Sequence, residues 1–169
     1  MSAPNAPPSG MQRNLRYLLE ANVAPQWRDW LAELAPALVE DVGESRAWAL
    51  MQRTGIAVAR RRPLAPCSTL TELEATVAAA LGQLNWGWAR LAARGPGIDI
   101  VHGAYPYAPA PEDPAGGWFA AVLEGLYSEW LARLAQDDSL TAVATARPES
   151  IGDVILLRFG RHGPPLLPF

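Results

Sequence analysis

The side chains in this sequence that could do chemistry are two histidines, one cysteine and a set of carboxylates. A metal site needs several such groups at ligand spacing, and neither His102 nor His162 has a second histidine, a cysteine or a carboxylate so placed. No metal is therefore expected. Cys67 stands alone, cannot close an internal disulfide, and reads as a small buried apolar residue. There is no GxGxxG after a strand, no Walker A loop and no GxSxG elbow, so no cofactor is expected either. Hydrolysis of a glycoside would need two carboxylates facing each other across a cleft. Glu124, set amid apolar neighbours, could be one of them, with Asp99 or Asp153 as the other. Any small protein offers such pairs on paper, so the preferred reading makes Glu124 a carboxylate satisfied by its neighbours or lying in an interface. His102 is likewise read as hydrogen-bonded structure rather than a proton shuttle, and Asp137-Asp138 as a solvated loop. No catalytic residue is assigned.

The seven tryptophans are many for 169 residues. Indole rings stack on sugar faces and also anchor protein interfaces. Trp27, Trp30 and Trp130 fall on apolar stripes, which makes core packing their first explanation. The surplus still favours self-association. A small-ligand module with a pocket lined by Trp86, Trp88 and Trp118 is the alternative.

The elements that would position these groups follow from periodicity. A helix starts at Pro25, with Trp27, Trp30, Leu31, Leu34 and Leu38 on one face, and Pro36 is expected to kink or break it. The pattern resumes beyond Gly43 through Trp48, Met51, Gly55 and Val58, and stops at Pro63. Capping-box patterns at Thr69–Glu72 and Thr71–Glu74 announce a helix with the stripe Leu70, Leu73, Val77, Leu81 and Leu84. After a tight turn at Asn85, the run Trp86 to Leu91 alternates as a strand; Gly95-Pro96-Gly97 turns the chain into a second strand, Ile98 to His102. Tyr105 to Gly117 is a loop. The strongest helix carries Phe119, Val122, Leu123, Leu126, Trp130, Leu131 and Leu134, with a second stripe of small residues, Ala121, Gly125, Ser128 and Ala132. That second stripe implies packing on two sides. Leu140 to Thr145 and Ile151 to Phe159 close the chain as an antiparallel hairpin turning at Pro148-Glu149. The fold class is α+β: several amphipathic helices and a small antiparallel sheet in a single domain.

Residues 1–24 read as a flexible N-terminal extension, 25–160 as the α+β domain and 161–169 as a proline-rich tail. Within the extension, Met1 to about Met11 is expected to be disordered, and Asn14 to Ala24 to hold a short helix carrying Leu15, Leu18 and Leu19. The net charge is −3, lysine is absent, and Arg60-Arg61-Arg62 before a proline reads as a helix end rather than a nucleic-acid patch. The first ten residues lack the pattern of a signal peptide, and no stretch has the length of a membrane span, so a cytoplasmic protein without membrane insertion is expected.

The segment Cys67-Ser-Thr-Leu, followed by Leu84-Asn85-Trp86-Gly87-Trp88, resembles the D-subunit family of bacterial cellulose synthase operons. So do Ile100-Val101-His102 and the run from Trp118 through Glu124-Gly125-Leu-Tyr127 to Trp130. The blocks keep the family's order from roughly Trp27 to Arg158, and none is a catalytic signature. The resemblance marks Asn85, Trp86, Gly87, His102, Trp118, Glu124, Gly125, Tyr127 and Trp130 as residues of fold and assembly. It implies a non-catalytic accessory subunit of the cellulose synthase complex, a homo-octamer built from dimers with passageways for β-1,4-glucan chains. It further implies a role in aligning synthase complexes so that nascent chains become crystalline cellulose, and a link to a proline-rich partner from the same operon. The cytoplasm near the inner membrane is the implied location, with the periplasm as the alternative. The long proline-containing N-terminus and the tail ending Pro-Pro-Leu-Leu-Pro-Phe depart from the family, so no glucan-contacting residue is carried over.

Overall fold

The computed structural model describes residues 15, 18, 22–110, 112–150 and 152–162. The expected disorder of residues 1–11 and the proline-rich tail beyond His162 lie outside the described residues, as does most of the short helix expected over 14–24, of which Leu15 and Leu18 are helical. The described chain runs α1 (Pro25–Val42), α2 (Glu44–Arg61), α3 (Leu70–Leu84), β1 (Trp88–Arg94), β2 (Gly97–Gly103), α4 (Phe119–Ala135), β3 (Thr141–Ala146) and β4 (Ile155–Gly160). The α+β class follows directly. The two hairpins join through β2 and β4 into one antiparallel sheet of order β1-β2-β4-β3.

α4 is the centre of the molecule. Every residue from Phe119 to Tyr127 is buried, and α2 packs on one side while β3 and β4 pack on the other. The small-residue stripe explains how two partners fit. A Cβ on Gly125 would sit 1.9 Å from the Gln52 carbonyl oxygen of α2, and one on Gly55 would sit 1.9 Å from the Val122 carbonyl oxygen. Both contacts are internal to the chain, so Gly125 of the stripe lets the backbones of α2 and α4 approach closely.

The local signals mostly hold. Thr69 caps α3 in a full capping box with Glu72, whereas the overlapping Thr71–Glu74 pattern lies inside the helix. Arg60 and Arg61 close the last turn of α2, with Arg62 as its cap. Asn85 ends α3 in the left-handed conformation, φ 55°, before β1.

Four expectations are corrected. The break allowed for at Pro36 does not occur: α1 runs through it, because most of α1 is exposed and solvent can meet the carbonyl of Ala32 that has lost its donor. Trp27 and Trp30 are not core residues but are 56% and 54% exposed. Cys67 is only half-buried, against the edge of the core. The last strand starts at Ile155 rather than Ile151, since Asp153 accepts from the backbone amides of Glu149 and Ser150 and holds the preceding residues in a turn.

Both edges of the sheet are plugged by side chains from helices. Glu74 of α3 accepts from the Leu91 amide on β1 at 2.7 Å. On β3, the Ala142 amide donates to Ser128 Oγ at 2.8 Å and the Ala144 amide to Glu124 Oε1 at 2.7 Å. Unpaired edge amides invite pairing with another chain, and these three are occupied.

Candidate functional site

Two buried polar nodes and one surface groove hold the residues singled out by sequence. The first node is Glu124, on the buried face of α4 and 5% exposed. Its Oε2 accepts from Trp48 Nε1 at 2.7 Å and from Gln52 Nε2 at 2.8 Å, both on α2, while Oε1 takes the Ala144 amide of β3. One carboxylate therefore ties together two helices and an edge strand. Asp99, the first suggested catalytic partner, is held below the usual carboxylate range by its hydrogen bond from Arg158, with Arg94 adding to the effect. Asp153, the second, is occupied by its own turn. The three acids share no partner, and Glu124 faces structural donors, so the arrangement is that of a satisfied carboxylate and not of an acid–base pair.

The second node is His102, fully buried on β2. Its Nε2 lies 2.8 Å from the Trp86 carbonyl oxygen and its Nδ1 lies 2.7 Å from Tyr127 Oη. A carbonyl only accepts, so Nε2 carries the proton and Nδ1 accepts from the Tyr127 hydroxyl. Burial pushes His102 down to about 4, against a smaller opposing pull from the Trp86 carbonyl, and pushes the Tyr127 hydroxyl up. Both are neutral at pH 7. The node pins the Asn85-Trp86-Gly87 turn to α4. Asn85 is further tied to Asn22, Nδ2 to Oδ1 at 2.8 Å, and Gly87 (φ +83°) lies so close to Gly103 that a Cβ would be 2.0 Å from its carbonyl oxygen.

A pH effect follows from this node. The folded His102 resists a proton that the unfolded chain accepts near 6.5, so stability is complete above that pH and falls as pH drops toward about 4. The shift corresponds to about 3 kcal/mol by pH 4. Urea unfolding at pH 7 and pH 4 is expected to show this loss in the native chain and its absence in His102→Gln; equal losses in both would contradict the assignment.

Trp118 and Trp130 likewise make contacts within the chain. Trp118, at the start of α4, donates from its backbone to Asp113 Oδ2 at 2.7 Å and from its ring to the Ala108 carbonyl at 2.8 Å. Trp130 Nε1 donates to the Arg62 carbonyl at the end of α2, and its ring packs edge-on against Tyr127. The suggested pocket of Trp86, Trp88 and Trp118 does not form. Trp86 packs edge-on against Phe119, Trp88 lies across Gly103 beside a small cavity of 110 Å³, and Trp118 lines a separate groove. Trp86 and Trp118 both pack edge-on against Phe119, but the three rings line no common pocket.

Two surface features carry no signal in the sequence. The groove, about 740 Å³, runs between α1, α2 and the loop before α4. Its floor is apolar (Ala35, Pro36, Val39, Ala47, Met51), Trp48 and Trp118 line it, and Glu40, Glu44 and Glu112 stand on its rim. Arg147 stacks on Trp48, its guanidinium 4.0 Å from the ring centroid. The second feature is the Trp27–Trp30 pair on α1, edge to face at 5.8 Å and open to solvent. Periodicity places these rings on one helical face; no local signal tells whether anything covers that face. Among the described residues no cluster of histidine, cysteine or carboxylate could hold a metal ion, and no helix is long and apolar enough to cross a membrane.

Residues 13–160 match the model of the cellulose synthase D-subunit family. A curated relative from Komagataeibacter xylinus, named cellulose synthase operon protein D, is 29% identical over 139 residues, 81% of either chain. The protein of the same name from Komagataeibacter sucrofermentans is 29% identical over the same share of both chains.

Proposed function

The chain belongs to the cellulose synthase D-subunit family and so has a role in cellulose synthesis, and we propose that it acts there as a non-catalytic, self-assembling scaffold. In this reading copies of the chain form a homo-octamer whose passageways admit β-1,4-glucan chains. The assembly aligns synthase complexes and orders the nascent chains into crystalline cellulose. It works on the cytoplasmic side of the inner membrane, in company with a proline-rich partner from the same operon.

The observation that carries this reading is α1. The helix has 18 residues, yet only Ala35 is buried, while Trp27, Trp30 and Val39 are exposed. Most helical stability in proteins comes from packing an apolar face, and Pro36 removes one of this helix's own hydrogen bonds. A second copy laid against α1 would supply that packing, and exposed tryptophans are favoured anchors of such interfaces. The non-catalytic assignment is supported by the polar nodes: Glu124 and His102 spend their hydrogen-bonding capacity on the fold.

Deleting the gene in its own host is expected to lower the yield and crystallinity of cellulose, and expressing the chain again should restore both. A deletion that leaves both unchanged would overturn the proposal.

A further inference from the structure

Two neighbouring helices carry opposite charge on their solvent faces. In α2, Ala47, Met51, Gly55 and Ala59 are buried on the side that packs against α4. Arg46, Arg53 and Arg60 recur every seven residues on the opposite side, and all three are exposed. The only acid of α2, Glu44, lies off this line, at the rim of the groove. α1 has the reverse balance, with four acids and a single arginine, Arg28. Its outer face presents Trp30, Glu33, Ala37 and Glu40, all exposed.

These charges do not meet inside the chain. Arg60 pairs with Glu129 of α4, and Asp29 approaches Arg28 at 3.8 Å. Among the described residues, Arg46 and Arg53 have no ion-pair partner, and neither do Glu33, Glu40 and Asp41. The spacing of the two sets agrees. Glu33 and Glu40 stand seven residues apart, as do Arg46 and Arg53, so each pair spans about 10.5 Å along its helix axis. Two helices lying nearly parallel or antiparallel would make both ion pairs in step. Ala37 between the acids and Ala49 between the arginines are exposed and small enough to let the helices approach.

An anionic membrane is a poorer partner for the arginines. Clustered arginines are drawn to anionic lipid, but α1 adjoins α2 through Gly43 and would bring its four acids to the same surface, on a chain of net charge −3. A second copy supplies the complementary face instead.

We propose that the acidic face of α1, centred on Glu33 and Glu40, packs in the assembly against the arginine face of α2, centred on Arg46 and Arg53, of another copy. This contact rests on the self-assembly proposed above and names the surface that covers α1. Exposed ion pairs add little affinity. Their part is to select the partner face and fix its register, while Trp30 supplies apolar area.

The test is charge exchange in the full chain. Glu33→Arg/Glu40→Arg makes both faces basic, and Arg46→Glu/Arg53→Glu makes both acidic. Each variant alone should raise the protein concentration at which the assembly half-dissociates at least ten-fold, read by light scattering over a dilution series. An equal mixture of the two should return to the native value, because each basic copy then meets an acidic one. A second measurement keeps the native charges and so does not depend on the variants folding. Ala57, exposed one turn beyond Arg53, is replaced by a photo-reactive phenylalanine, and equal amounts of ordinary and nitrogen-15-labelled protein are refolded together and irradiated. Crosslinks of mixed isotope to residues 29–41 are expected. An unchanged concentration in either variant, a mixture of folded variants that stays dissociated, or the absence of those crosslinks would each overturn the proposal. Sedimentation of the native protein with phosphatidylserine vesicles, lost in the arginine variant, would assign the arginines to a membrane and overturn it too. An assembly near eight chains that survives both variants sinks this contact alone, whereas a monomeric native chain sinks the scaffold reading itself.

Discussion

Gly125→Ala is expected to destabilise the chain by about 3 kcal/mol, the upper end for forcing one methyl group into a packed interior. The new Cβ would stand 1.9 Å from the Gln52 carbonyl oxygen, where ordinary contacts begin near 3.4 Å. The obstacle is backbone, which cannot swing aside as a side chain would. α2 and α4 would have to part by roughly 1.5 Å, in an interior packed as densely as an organic crystal. Parting them also stretches the Glu124 bonds to Trp48 and Gln52, so packing and polar losses add. Gly82 supplies the control. It lies in α3 with nothing within 4 Å of an added Cβ, so Gly82→Ala should stabilise by about 0.5–1 kcal/mol. Urea midpoints compare the two; similar effects at both positions would show that the α2–α4 crossing is not the close backbone contact described.

Glu124→Gln is expected to cost about 2–3 kcal/mol, although it changes almost no volume. Three donors converge on the two carboxylate oxygens: the Trp48 ring, the Gln52 amide and the Ala144 backbone. A glutamine amide offers one oxygen and turns an NH2 group toward the other donors. Gln52 can turn over to meet it, but either Trp48 or Ala144 is then left facing a donor at a half-buried site. The edge of β3 should loosen as well, so faster hydrogen exchange at the Ala144 amide would accompany the lower urea midpoint. Unchanged stability in this variant would contradict the reading of Glu124 as a structural tie.

What is legible in the sequence is local. The Thr69–Glu72 box, the Gly95-Pro96-Gly97 turn and the α4 stripe each depend on residues a few positions apart, and each forms close to its expected place. Family resemblance marks the Asn85-Trp86-Gly87 turn and the run from Glu124 to Trp130. The reasons for those residues are not visible in the sequence, because the partners lie far along the chain: His102 for Trp86, Trp48 and Gln52 for Glu124, Arg62 for Trp130. Within the small-residue stripe, Gly125 meets α2 of the same chain and Ser128 meets β3. Conversely, Trp27 and Trp30 keep the periodicity of a core stripe while standing open to solvent. Periodicity reports which side chains share a face, and burial depends on what the rest of the chain, or another copy, brings to it.

If α1 is an interface between copies, the protein should not exist as a monomer under ordinary conditions. Light scattering after size exclusion measures the mass without reference to shape. The expected result is a species near eight chains of 18.2 kDa each, shifted to smaller species when Trp27 and Trp30 are both replaced by serine. A clean monomer at micromolar concentration would contradict it.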